Sequence, residues 1–362
     1  MQNIRAEVLL PTRDLQGDTA FFTDRLGFRM DEVFPADDPR VAVFSGYGLR
    51  LRLDRGLEAA PGVLRLLGDE PELIADGATT LDAPGGTRVE IAPLAPPVVM
   101  PPVEHAFVVR RLVDEAPWVV GRAGMQYRDL IPDRLGGSII ASHIRIPDGG
   151  PVPDMVHYHS VGFQLIFCIR GWVDLVYEDQ GPPFRLHAGN CVIQPPEIRH
   201  RVLYASDNIE VIEIGVPAEH ITTIDHQTPL PTGTFAPERL FDGQRFVHHE
   251  ADKAEWLPAR LPGFEARDTT IAANTGGVAD VRVLRRAQGE TGWTAHDADI
   301  HFSFVLKGGM RLAAKGHEAR DLTAGDAFVI PPGLVTRVEA PSGDLELLEV
   351  ALPGRVTTRI EG

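Results

Sequence analysis

Apolar positions in this chain come in short runs broken by glycine, proline and polar turns. Residues 5–10 alternate as a strand does, and in residues 18–26 Phe21, Phe22 and Leu26 fall on one side of a helix that closes at Gly27. Strands are expected near residues 28–34, 40–45 and 48–53, whereas residues 57–80 read as loop-rich. The segment 93–103, PLAPPVVMPPV, holds five prolines in eleven residues, a composition that favours an extended connector over a packed element.

Beyond the connector the pattern repeats. Residues 127–215 and 264–350 follow one plan: Arg128-Asp129 leads to Gly136-Gly137, as Arg267-Asp268 leads to Gly276-Gly277. FCIRGWVDLVY around Gly171 matches FVLKGGMRLAA around Gly308, and HAGNCVIQPP matches TAGDAFVIPP. Such runs between Gly and Pro turns predict two tandem β-barrels, so the chain reads as mostly β. The expected domains are 1–92, a linker at 93–103, a first barrel at 104–230 and a second at 231–362.

Composition narrows the function classes. With 51 acidic against 35 basic residues, the formal net charge is −16, a field that repels phosphate backbones and anionic membranes, so no nucleic-acid or membrane partner is expected. Cys168 and Cys191 each sit in an apolar run and read as small buried hydrophobes, not as a disulfide framework. The N-terminus lacks a basic-then-apolar signal pattern, and no apolar run approaches a membrane span, so the expected compartment is the cytoplasm.

The text LLPTRDLQGDTAFFTDRLGF, with strand, helix and three strands in that order, resembles the opening half-module of the vicinal oxygen chelate superfamily, the glyoxalase and bleomycin-resistance group. That resemblance implies a small α+β module over residues 4–92. The family places metal-binding carboxylates near the positions of Glu7 and Glu90, but without a full second module these two are expected to be surface or capping groups.

The first repeat copy carries PDGGPVPDMVHYHSVGFQLIFCIRG and then GNCVIQPPEIRHRVLYASDN. These resemble the two motifs of the cupin superfamily, with Gly150, His157, His159, Gln164 and Gly171 in the first and Gly189, Pro195, Pro196, His200 and Asn208 in the second. The resemblance implies tandem double-stranded β-helix barrels, a bicupin. A His-x-His pair on a strand puts both imidazoles on one face because side chains alternate. A third imidazole, His200, completes a set that leaves positions open for substrate. Imidazole suits several metals; iron(II) is expected first, with zinc, nickel, manganese and copper open.

Gln164 stands where many cupins place a ligating glutamate, so the ion would keep its full charge and favour an anionic chelating substrate; Gln164 itself is expected to support the ligands rather than join them. Tyr158 and Tyr204 are candidates for acid or hydrogen-bond roles beside the metal. Arg128, Arg145, Arg201 and Tyr127 are candidates for holding substrate, guanidinium being suited to carboxylates. Alternation turns Arg201 outward and Tyr204, which shares the parity of His200, inward.

In the second copy Thr294, His296, His301 and Thr336 stand opposite His157, His159, Gln164 and His200, so two of three ligand positions are lost. A degenerate, structural barrel is expected there. The resemblance to three-histidine cupins implies an iron(II) dioxygenase taking O2 and a small anionic metabolite, with sulfur oxidation of a thiol or thione favoured slightly because the ligand set lacks a carboxylate. Gentisate- or diketone-like ring or C–C cleavage, a redox-neutral metal-dependent lyase or isomerase, and a non-catalytic ligand-binding bicupin are the alternatives. Protection of sheet edges and the family resemblance together make a homodimer the expected assembly.

Overall fold

The computed structural model describes residues 4–114, 118–121 and 124–361. The chain forms two compact units, Met1–Pro97 and Val98–Gly362.

In the first unit, strands Val8–Pro11, Leu49–Asp54, Val41–Gly46 and Arg29–Phe34 form one sheet in that order. Its helix, Leu15–Ala20, starts earlier than the apolar pattern suggests because the Asp14 carboxylate accepts a bond from the Gly17 amide at 2.9 Å, capping the first turn. The helix continues as a wider turn, Phe21–Arg25, that buries Phe21 and Phe22. Strand Val63–Gly68 falls where loop was expected; it pairs in parallel with Arg88–Pro93, a partner too distant in sequence for local patterning to reveal. Phe22, Phe44, Leu51, Leu53 and Val89, none with exposed surface, centre this unit's own core. Glu7 is bound by Arg50 at 2.6 Å and Glu90 lies exposed in its strand, so both are surface carboxylates.

In the second unit each repeat copy is a pair of facing sheets. The first copy's larger sheet runs from Val247–His249 through Cys191–Ile193, Phe163–Arg170, Ile209–Val216, Ile140–Ile146 and Gln126–Asp129 to Val119–Val120. Facing it are Phe184–His187, Trp172–Tyr177, His200–Ala205, His157–His159 and Thr222–Ile224. The second copy repeats the scheme, with Trp256–Pro258, Phe264–Asp268, Asp280–Arg286, Glu346–Leu352, Ile300–Lys307, Ala327–Val329 and Val108–Arg110 facing a five-stranded sheet.

Among the described residues no ladder closes either pair of sheets into the expected barrel. One edge of each larger sheet is instead occupied by a strand from outside its copy. Val108–Arg110, which precedes the first copy, pairs with Ala327–Val329 of the second, and Val247–His249, which precedes the second copy, pairs with Cys191–Ile193 of the first. Both exchanges cross the expected boundary at residues 230 and 231.

The exchange is locked symmetrically. The Leu112 amide donates to Asp326 Oδ1 at 2.7 Å and the Ala251 amide to Asn190 Oδ1 at 2.9 Å. The Arg128 guanidinium donates to the Gly325 carbonyl at 2.6 Å and that of Arg267 to the Gly189 carbonyl at 2.9 Å. Between the two larger sheets lies a shared core in which Phe163, Leu165 and Phe167 of one copy join Ile300, Phe302 and Phe304 of the other. Each copy keeps a further core between its own two sheets.

Candidate metal centre

His157 and His159 lie on a three-residue strand, and His157 pairs directly with His200 on the neighbouring antiparallel strand. Alternation sends both even-spaced imidazoles to the interior while Tyr158, between them, turns outward beneath the Arg199 guanidinium, 4.8 Å from its ring centre. All three histidines are buried, and their candidate ligating atoms lie within 4.8 Å of one another.

The ring orientations are set by neighbours. Nδ1 of His157 meets the Met155 carbonyl at 2.7 Å, Nδ1 of His200 the Ile198 carbonyl at 2.9 Å, and Nδ1 of His159 the Thr222 hydroxyl at 2.9 Å. A nitrogen facing a carbonyl carries the proton, which makes Nε2 the lone-pair nitrogen of those rings, the arrangement that metal-binding histidines use. Asp154 supports the group: its carboxylate lies 3.7 Å from His157 Nδ1 and accepts the Val202 amide at 2.9 Å. Three convergent imidazoles so held fit a borderline transition-metal ion.

The histidines open on a cavity of about 650 Å³, including its mouth, walled by Met125, Ile144, Ile146, Ile166, Val202 and Val211 among others. Tyr127, proposed for substrate, does line it. Gln164 is buried on the interior face of its strand, and its amide donates to Glu213 Oε1 at 2.8 Å.

The other proposed substrate and acid groups do not reach the cavity. Arg128 has no exposed surface, and its Nη2 both donates to the Gly325 carbonyl at 2.6 Å and lies 3.2 Å from His143 Nδ1. Arg145 stacks on Trp118 at 4.2 Å and bonds Gln126, because Ile144 and Ile146 take the inward parity of its strand. Tyr204 is 43% exposed and stacks on Trp172. It shares the parity of His200 in sequence, but a bulge skips Leu203 in the ladder, pairing Val202 with Leu175 and Tyr204 with Asp174, and reverses the face. Arg201, expected to turn outward, lies between the cavity residues His200 and Val202 and is not part of the wall.

The sequence reading missed Glu213, Tyr177 and Gln194, all of which line the cavity. Gln194 donates to the Tyr177 hydroxyl at 2.9 Å, and the Tyr177 ring stacks on His200 at 5.5 Å. Burial raises the Tyr177 phenol well above its ordinary range, so it stays protonated. The two cysteines are buried thiols pushed up to about 12, inert as nucleophiles.

Comparisons with known proteins bear on the fold. A family model described as "Cupin domain" matches residues 282–351, in the second copy. Among solved structures, salicylate 1,2-dioxygenase from Pseudaminobacter salicylatoxidans is 18% identical, covering 73% of this chain and 91% of its own with a TM-score of 0.54. Protein Ylba from E. coli is 12% identical, covering 72% and 96% with a TM-score of 0.51. Oxalate decarboxylase OxdC from Bacillus subtilis, as a single-site mutant, is 14% identical, covering 71% and 81% with a TM-score of 0.50. A search of curated proteins finds no match. The mostly β chain thus has the cupin fold. The family match falls on the copy that lacks two of the three imidazoles, so it speaks to fold and not to the metal centre.

Proposed function

We propose that the first copy is the active half of a mononuclear metal-dependent dioxygenase that cleaves a small molecule chelating through two oxygens, an ortho-hydroxylated aromatic acid or an enolised diketone. The observation that carries this reading is the set His157, His159 and His200, each ring fixed through Nδ1 and all opening on one apolar cavity. Iron(II) held there would supply Lewis acidity and the redox partner that dioxygen chemistry needs.

The chain's own residues argue for the substrate class. Among the described residues the cavity wall holds no arginine or lysine, so none of these offers a partner to a remote carboxylate, and the substrate's charge is assigned to the atoms that chelate. Apolar side chains and the rings of Tyr127 and Tyr177 suit a flat carbon skeleton and exclude water around it. Glu213, held by Gln164, is positioned to take the proton a chelating hydroxyl gives up. The ligand set itself holds no carboxylate, but Glu213 puts one on the cavity wall, which weakens the case for sulfur. A salicylate 1,2-dioxygenase among the fold neighbours shows that this fold accommodates ring cleavage. Substrate and O2 together provide both oxygen atoms and all the electrons, so no external reductant is required.

Oxygen-electrode traces of iron-loaded protein against 2-hydroxybenzoates, dihydroxybenzoates, β-diketones and thiols test the reading. Uptake with an oxygen chelator, lost in His157→Ala, is the expected result. Uptake with thiols alone would restore sulfur oxidation. Tight metal binding with substrate turnover but no oxygen uptake would instead make the protein a redox-neutral lyase, for which the Glu213 carboxylate is the favouring feature.

A further inference from the structure

The second copy encloses its own cavity, of about 580 Å³ with its mouth, in the place where the first copy keeps its metal centre. Thr294 pairs with Thr336 across the ladder as His157 pairs with His200, so hydroxyls stand where ligands stood. His296 and His301 stack at 4.3 Å between ring centres, and both are at least nine-tenths buried. Among the described residues neither nitrogen of His296 makes a well-formed hydrogen bond, the Ile330 backbone being its nearest polar neighbour, and Nδ1 of His301 makes none. Buried polar atoms are rarely left unpaired, which makes an open imidazole in a cavity a sign of a missing ligand or water.

The charges around this cavity are already satisfied. Glu349 accepts Arg260 and lies 3.3 Å from His301 Nε2; Arg260 also reaches Asp280 at 3.1 Å. Arg337 is held by Glu339 and by the face of Trp293. Although burial opposes the charge on Glu349, His301 and Arg260 outweigh it and keep the carboxylate ionised. Burial first, and then the neighbouring His301, lower His296 to about 3, so its ring offers one donor and one acceptor and no charge. An anion would meet Glu349 and a cation Arg260, each without a free counter-charge. Leu261, Leu284, Leu312, Phe328, Ile330 and Val338 supply an apolar wall.

We propose that this cavity is a second, metal-independent binding site for a small uncharged molecule that carries a hydrogen-bond donor and acceptor on an apolar body, received by His296, Thr294 and Thr336. The site is separate from the metal centre and stands whether or not the reading of the first copy does. The full-length chain, freed of metal by chelator, is titrated by calorimetry and ligand-observed NMR with phenol and benzamide, with benzoate and benzylamine as charged counterparts. The expected result is binding of the uncharged probes, weakened at least tenfold in His296→Leu and unchanged in His157→Ala. Thr336→Val, a near-isosteric change that removes only the hydroxyl, covers the case in which His296→Leu fails to fold and should weaken binding severalfold. Preference for a charged probe, loss of binding in His157→Ala with retention in His296→Leu, or no binding of any probe would each overturn the proposal, the last leaving the cavity to water.

Discussion

The side chains that decide what the candidate metal centre can do are those behind the imidazoles. Thr222 bonds a ring nitrogen of the group through its side chain, at 2.9 Å from His159, whereas Nδ1 of His157 and of His200 meets a carbonyl that no substitution removes. Thr222→Val keeps the shape and deletes the bond, and metal affinity is expected to fall about 10–100-fold in competition titrations, with the fold unchanged by circular dichroism. Arg128 gives the converse case. It bridges copies and avoids the cavity, so Arg128→Met is expected to leave KM for any substrate unchanged while unfolding free energy drops by about 1–3 kcal/mol, the cost of leaving the Gly325 carbonyl without its charged donor. A raised KM at unchanged stability would return Arg128 to the substrate site. Nothing local in the sequence separates these roles: Arg128 and Gly325 lie 197 positions apart, and an arginine near a His-x-His motif reads as a substrate clamp until its partner is seen. Glu213 escaped for a related reason. It lies three positions from Glu210 in an apolar strand, so the two face opposite ways, and alternation alone does not say which meets the cavity.

At the scale of elements, the strand His157–His159 and its pairing to His200 were legible because a period of two is a strong constraint and two motifs fixed the positions. What the pattern could not carry was irregularity and long-range pairing. The bulge at Leu203 turned Tyr204 outward, and the exchanged strands Val108–Arg110 and Val247–His249 pair across the repeat. The second of these carries a pH-sensitive group. His249 is lowered to about 4 by burial first and by Arg267 next, with His248 adding to this and Asp268 and Glu250 opposing it. Unfolded, it takes its proton near the ordinary 6.5. Between these values the unfolded chain binds more protons, so stability that is complete above 6.5 is lost as the pH falls towards 4. That difference corresponds to at most about 3 kcal/mol. Denaturant unfolding followed from pH 7.5 to 4 should show a steeper loss in the parent chain than in His249→Gln; equal slopes would show that His249 titrates freely in the folded state.

The whole second unit depends on the layer between its copies. Strand exchange, the paired arginine clasps and the apolar core of Phe163, Leu165 and Phe167 against Ile300, Phe302 and Phe304 tie a copy with three imidazoles to one with two. A second copy kept only as a bystander would need none of its own polar cavity. It would still be needed as the surface on which the first copy's larger sheet is buried, since an isolated sheet with that face exposed would leave a broad apolar patch in water. Cooperativity between the copies follows. Phe302 has no exposed surface, and Phe302→Ala should cost about 3–5 kcal/mol. Although the substitution lies in the second copy, the loss should be shared. Hydrogen exchange should accelerate by the same factor in Phe163–Arg170 as in Ile300–Lys307, and metal should be released from the first copy at the same denaturant concentration at which the second unfolds. Acceleration confined to Ile300–Lys307, with metal retained, would mean that the shared core joins two independently folding halves and that the metal centre owes the second copy nothing.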